Sequence, residues 1–90
     1  MKLPTLASAR HVRDGGIDAM AALDEALREA LVDLDPQEQH ELKRAFGDVM
    51  GELVETLINP AIRAFPELDA SEDTWRAVAR ARAAARANET

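Results

Sequence analysis

The carboxylates are the residues in this sequence that come closest to a chemical pattern. Helical spacing places four of them on one stripe of the predicted second helix, namely Glu41, Asp48, Glu52 and Glu55. Paired carboxylates between helices can hold two metal ions, and such centres characteristically use a Glu-x-x-His motif. This chain has none, because His40 is preceded three positions earlier by Gln37. The stripe also lies opposite the apolar face of its helix, which indicates a solvated surface.

The remaining reactive side chains give no catalytic arrangement. His11 and His40 are the only histidines, and neither has a second ligand or a nucleophile at helical spacing. The chain has no cysteine, which excludes a disulfide, a thiolate metal site and a cysteine nucleophile. Gly15 and Gly16 lack both the spacing and the preceding strand of a phosphate-binding loop. We therefore predict that the protein is not an enzyme and has no catalytic residue, bound metal or cofactor.

Charge is distributed unevenly along the chain. The net charge is −6, and the residues up to Thr74 include sixteen acidic and seven basic ones. From Trp75 onward the balance reverses, with four arginines and one glutamate. The overall acidity argues against direct binding of nucleic acid. We predict that Arg82 and Arg86 form an arm that makes salt links with carboxylates or contacts a partner.

Length and composition indicate one small domain over residues 1–90. The N-terminal segment lacks the apolar stretch of a signal peptide, and no window of about 18 uncharged apolar residues could span a membrane. The lack of cysteine fits a reducing compartment. We expect a soluble cytoplasmic protein, and the excess of alanine and of arginine over lysine is typical of a GC-rich bacterial or phage genome.

Helical periodicity dominates the chain, and strand signals are nearly absent. Residues 17–34 place their apolar side chains within about 140° of one helix face. Asp35 can cap the next helix, Pro36 fits its first position, and Glu38 is placed to complete a capping box. Such a short connection predicts an antiparallel αα-hairpin formed by the two helices.

Gly15 and Gly16 stand just before the first of these helices. We predict that they break the chain after a shorter helix that begins at Pro4 and ends near Arg13. Residues 1–15 would then form a loose leader. One long helix through both glycines stays open as the alternative, since apolar residues before and after them project onto the same face.

The second helix, predicted over residues 36–58, is apolar around most of its circumference. Its uncharged positions cover about 240° of the helix surface. One stripe consists of Leu42, Ala45, Phe46, Val49, Met50, Leu53 and Leu57, and an adjoining one of Gly47, Gly51, Val54 and Ile58. A helix of this kind has neighbours on more than one side, so the first helix alone is not sufficient to cover it.

Two prolines divide the chain after the second helix. Asn59 and Pro60 predict that this helix ends or kinks there, with Asn59 as the cap of a short new helix. Pro66 predicts the end of that short helix near Phe65. This segment would redirect the chain toward the last helix.

The last helix is predicted over residues 70–87. Asp69, followed three residues later by Glu72, predicts its capping residue. We expect the helix to dock through its first two turns, around Trp75, because its apolar face is short. Residues 86–90 are expected to fray.

The glycines of the second helix are the most informative pair. Each glycine inside a helix costs about 1 kcal/mol relative to alanine, so two on one face indicate that another helix approaches closely. We predict a homodimer interface formed by Gly47, Gly51, Val54 and Ile58. The alternative is that the same face packs on the chain's own C-terminal helix.

Together these patterns predict an all-α protein, a small helical bundle built on the hairpin with an additional C-terminal helix and completed by homodimerisation. The predicted role is non-catalytic, a regulatory or adaptor protein that contacts a further protein partner. An acidic mimic of nucleic acid, which would inhibit a DNA-binding protein, is the alternative. A carboxylate metal-binding enzyme is the third reading and has the least support.

Overall fold

The chain is all-helical in the computed structural model, which describes residues 1–88. In chain order the elements are α1 (Leu6–Leu31), α2 (Pro36–Leu53), a π-helical turn (Val54–Ile58), α3 (Asn59–Ala64), a 3₁₀ turn (Pro66–Leu68) and α4 (Glu72–Asn88). No strand occurs within the described residues, so the prediction of an all-α fold is confirmed. Helix α1 is the central element, because α2, α3 and α4 all pack against it.

Side-chain caps define where the first two helices begin. The Ser8 amide donates to Thr5 Oγ1 over 3.1 Å at the start of α1. At the start of α2 the Glu38 amide donates to Asp35 Oδ1 over 2.9 Å, and the Asp35 amide donates to Glu38 Oε1 over 3.0 Å. The predicted capping box is therefore present, with Pro36 in the first turn.

Helix α1 continues without a break through Gly15 and Gly16, so the predicted break is wrong and the alternative of one long helix is correct. The glycine pair has a tertiary cause rather than a local one. A Cβ atom built on Gly16 would lie 2.6 Å from Ile58 Cγ1, because α1 passes directly over the π-helical turn. The predicted loose leader is wrong for residues 6–15, because they lie within α1 and Ala9 is fully buried.

The buried core lies where the N-terminal half of α1 meets α3 and the 3₁₀ turn. Ala9, Ala61 and Leu68 form its centre, and the half-buried side chains packed around them are Leu3, Leu6, Val12, Ile62 and Phe65. Ile17 and Ile58 are buried further along α1. The more distant half of the α1–α2 pair has no fully buried side chain, and α2 contributes none at all.

The chain stays helical past Asn59, so the prediction that Asn59 caps a new helix is wrong. Asn59 has helical backbone angles, and its amide donates to the carbonyl oxygen of Val54, five residues earlier. This wider π-helical turn precedes Pro60, whose ring clashes with the carbonyl four residues back in a regular helix. The predicted stop is confirmed, since α3 ends at Ala64, just before Pro66.

Helix α4 begins two residues later than predicted, and its cap is Ser71 rather than Asp69. The Thr74 amide donates to Ser71 Oγ over 3.3 Å. Asp69 has extended backbone angles and ends the 3₁₀ turn. Residues 86–88 of the predicted frayed tail belong to α4, and the rest of that tail lies outside the described residues. Across residues 1–88, none of the helices combines the length and the apolar character needed to cross a bilayer.

Candidate functional site

Gly47 and Gly51 of α2, with Val54 at the start of the π-helical turn, form one edge, called here the glycine edge. Both glycines are exposed, and a Cβ atom built on either has no neighbour within 4 Å outside its own helix turn. Val54 is half-buried. The described part of the chain therefore leaves the glycine edge open, so the close approach that these glycines permit is not used within it.

Ile58 occupies a different place from the three residues of the glycine edge. Its side chain is 1% exposed and lies against Gly16 of α1. It was predicted as a member of the dimer interface, and the π-helical turn directs it inward instead. Ile58 is part of the chain's own interior and is not accessible to a second copy.

Helix α4 packs on α1 and leaves the glycine edge uncovered. Trp75 and Ala79 of α4 lie beside Ile17 and Met20 of α1, around an open apolar hollow of about 270 Å³ that Met50 of α2 also lines. The alternative in which the C-terminal helix covers the glycines is therefore wrong for this chain. The predicted docking of α4 through the turns around Trp75 is the contact observed.

A second open surface lies on the other edge of α2. It is a groove of about 470 Å³, called here the Val49 groove, whose lining residues are Asp48, Val49, Glu52, Leu53, Thr56 and Leu57. Val49 is 54% exposed and is one of the exposed large apolar residues among those described. A smaller apolar cavity continues from Val49 toward Phe46 of α2 and Leu23 of α1.

The carboxylates at the rim of the Val49 groove carry uncompensated charge. Neither Asp48 nor Glu52 makes an ion pair with any residue that the structure describes. Glu52 accepts one long hydrogen bond, of 3.4 Å, from Thr56 Oγ1. The groove thus combines an apolar floor with a negative border.

Arg82 and Arg86 both contact the carboxylate of Asp18. The Arg82 Nε atom lies 3.4 Å from Asp18 Oδ2, and Arg86 Nη1 donates to the same oxygen. The Asp18 side chain is 15% exposed, whereas the two arginines are about half exposed. These contacts attach the outer half of α4 to α1, so the guanidinium groups are engaged within the chain.

The histidines and the other carboxylates are not brought together. His11 and His40 are both exposed, on different helices. Among residues 1–88, no three histidine, aspartate or glutamate side chains are grouped so that they could hold a metal ion. The most distinctive surfaces of the described chain are accordingly the glycine edge and the Val49 groove.

Sequence reasoning missed the Val49 groove because it placed the predicted interface on the glycine stripe and none on the stripe that includes Val49. The sequence did contain one indication of this groove, namely the difference in width between the apolar faces of α1 and α2. The apolar arc of α1 spans about 140° and that of α2 about 240°, so one neighbour can cover only the middle of the wider arc. Both edges of α2 should then stay open, as they do.

Comparison with known proteins gives no relative from which a function could be transferred. No protein-family description, curated protein sequence or solved structure matches this chain significantly.

Proposed function

We propose that this chain is a non-catalytic helical protein that acts through protein–protein contacts and forms a homodimer through the glycine edge of α2. In this proposal α1 and α2 form an antiparallel hairpin, and two hairpins pair into a four-helix core with α4 on the outside. One observation carries the proposal. Two glycines inside α2 cost about 1 kcal/mol each relative to alanine, yet no contact within the described chain requires them.

The charges beside the glycine edge support an antiparallel pairing of two α2 helices. A two-fold axis that places Gly47 opposite Gly51 of the second copy also brings Arg44 within one residue of the level of Glu55 of that copy. Both side chains are exposed, and neither makes an ion pair within the described residues. The edge is therefore complementary to itself, as a two-fold interface requires.

Substitution of Gly51 by leucine tests this interface. A leucine side chain should prevent the close approach and convert the dimer into a monomer, as measured by light scattering after size-exclusion chromatography. The fold should survive, because among the described residues no atom outside the helix's own turn lies within 4 Å of the added Cβ atom. Ala77→Leu, at an exposed position of α4, is the matched control and should leave the mass unchanged. A wild-type protein that is monomeric at high concentration refutes the dimer directly.

A charge exchange tests the orientation of the two helices. Arg44→Glu and Glu55→Arg should each weaken the dimer several-fold, since each brings like charges together. The double variant should recover most of the wild-type affinity in a sedimentation dilution series. If the losses of dimer affinity simply add in the double variant, the antiparallel pairing is contradicted. The Gly51→Leu variant would still test the interface itself.

The alternative of an acidic nucleic-acid mimic has less support. A mimic needs a row of exposed charges, whereas Asp48 and Glu52 border an apolar groove, which phosphate groups do not resemble. Competition with DNA for a basic protein, lost steeply as salt is added, would favour the mimic over the adaptor.

A further inference from the structure

The Val49 groove has the length and the apolar character of a helix-binding surface. Together with the smaller cavity beside it, the apolar lining runs from Phe46 of α2 to Leu57 of the π-helical turn, a length of about 17 Å at a rise of about 1.5 Å per residue. That distance matches about three turns of a partner helix. Leu23 of α1 extends the floor sideways, so the surface is a groove between helices at this end rather than a single ridge.

The charged residues at the border of the groove favour an occupant of the opposite charge. Asp48 and Glu52 are the charged residues among those that line it, and both are acidic. Two copies of this groove placed face to face would bring four carboxylates together, which disfavours a second copy as the occupant. A partner with lysine or arginine beside its apolar stripe would instead pair with both carboxylates.

We propose that the Val49 groove binds a basic amphipathic helix of another protein. Such a helix would place apolar side chains, spaced at i, i+3, i+4 and i+7, on Val49, Leu53 and Leu57, with its basic residues over Asp48 and Glu52. This names the partner class for the adaptor role proposed above and rests on that role, but not on the dimer. In this proposal the glycine edge serves self-association and the Val49 groove serves partner binding.

Binding of a designed peptide tests the apolar part of the groove. The probe is a fluorescein-labelled helix of leucine and lysine with the spacing above, measured by anisotropy, and its counterpart with glutamate in place of lysine should not bind. Val49→Asn should weaken binding about tenfold, the range expected for loss of a central apolar contact. Val32→Asn is the matched control, since Val32 is 77% exposed outside the groove. Far-ultraviolet circular dichroism of each variant confirms that the fold is retained.

The charged part of the groove is tested separately. The double variant Asp48→Asn, Glu52→Gln should weaken binding about fivefold and reduce its dependence on salt, since two exposed ion pairs are lost. Glu67→Gln removes an exposed acidic charge in the 3₁₀ turn, away from the groove, and should have no effect.

Three outcomes would overturn the proposal. They are equal binding of the glutamate peptide, equal losses for Val49→Asn and Val32→Asn, and an unchanged affinity in the double variant. Light scattering of the same samples measures the dimer separately, so loss of the groove proposal can be told apart from loss of the dimer proposal. Gly51→Leu should abolish the dimer and keep peptide binding, whereas Val49→Asn should keep the dimer and weaken peptide binding.

Discussion

Gly16 and Ile58 approach each other so closely that no methyl group fits between them. A Cβ atom built on Gly16 would lie 2.6 Å from Cγ1 and 3.2 Å from Cδ1 of Ile58. Ile58 is 1% exposed, and Gly16 is buried. Because Gly16 has no positive φ angle, its role is the absence of a side chain rather than a special backbone conformation. This contact sets the distance between α1 and the π-helical turn.

Alanine substitutions at the two adjacent glycines should therefore have opposite effects. Gly16→Ala is expected to lower the free energy of unfolding by about 1–3 kcal/mol, because Ile58 is β-branched and cannot easily move aside. Gly15→Ala should raise it by about 0.5–1 kcal/mol, since a Cβ atom there meets no described residue within 4 Å outside its own helix turn, and alanine favours the helix. Urea denaturation measures both. Equal changes in the two variants would show that the contact does not constrain the helix.

Local signals in the sequence predict the helix boundaries well. Asp35, Pro36 and Glu38 together define the start of α2, because every atom of a capping box belongs to four consecutive residues. Pro66 ends α3 for an equally local reason, the restriction that proline places on the residue before it. Ser71 replaces Asp69 as the cap of α4, an error of two residues between two equally good capping residue types.

The roles of the glycines could not be read from the sequence. A helix break and a close helix contact use the same residue type, and the difference depends on which side chain lies opposite. Gly16 meets Ile58 from far along the chain, while Gly47 and Gly51 meet nothing within the described residues. Local spacing alone therefore could not show which of the two glycine pairs makes a close helix contact within the described chain.

The candidate site was predictable in part. The wide apolar surface of α2 indicated that α1 alone would leave part of that surface uncovered. In the structure, both edges of α2 are open. Which edge would expose a large apolar side chain depended on how α2 is rotated against α1. That rotation depends on tertiary contacts, such as the hollow that Met50 lines together with Trp75, and local sequence spacing does not predict it.

Removing the Asp18 carboxylate should release the outer half of α4. Asp18→Asn breaks the contacts to both Arg82 and Arg86, which attach that half to α1. Amides of residues 80–88 should exchange hydrogen several-fold faster, whereas global stability should fall by only about 0.5–1 kcal/mol because both arginines are partly exposed. Asp24→Asn is the control, since Asp24 pairs with Arg28 on α1 itself. Unchanged exchange in Asp18→Asn would mean that Trp75 and its neighbours hold α4 alone.

Loss of the cap on α2 should destabilise the protein measurably. Asp35→Ala removes the acceptor for the Glu38 amide and is expected to cost about 1 kcal/mol. Asp33→Ala serves as the comparison, because Asp33 is exposed, is not the capping residue of α1 or α2, and lies near the C-terminal end of α1. Its removal should be neutral or slightly stabilising, since a negative charge opposes the helix dipole there. The melting temperature of Asp35→Ala should therefore fall below that of Asp33→Ala. Equal shifts in the two variants would contradict the assigned cap.

Arg13 connects α1 to the 3₁₀ turn, and lysine should not replace it. Its Nη1 atom donates to the carbonyl oxygen of Leu68 over 2.9 Å, while Nη2 and Nε both lie 2.8 Å from Asp14 Oδ1. The side chain is 11% exposed, and an ammonium group cannot reproduce this forked arrangement. Arg13→Lys should therefore lower the free energy of unfolding by about 1–2 kcal/mol, because the Leu68 carbonyl loses a charged donor. Arg10→Lys, at an exposed position one turn earlier, should change it little. If both lysine variants unfold at the wild-type urea concentration, Arg13 does not stabilise this junction.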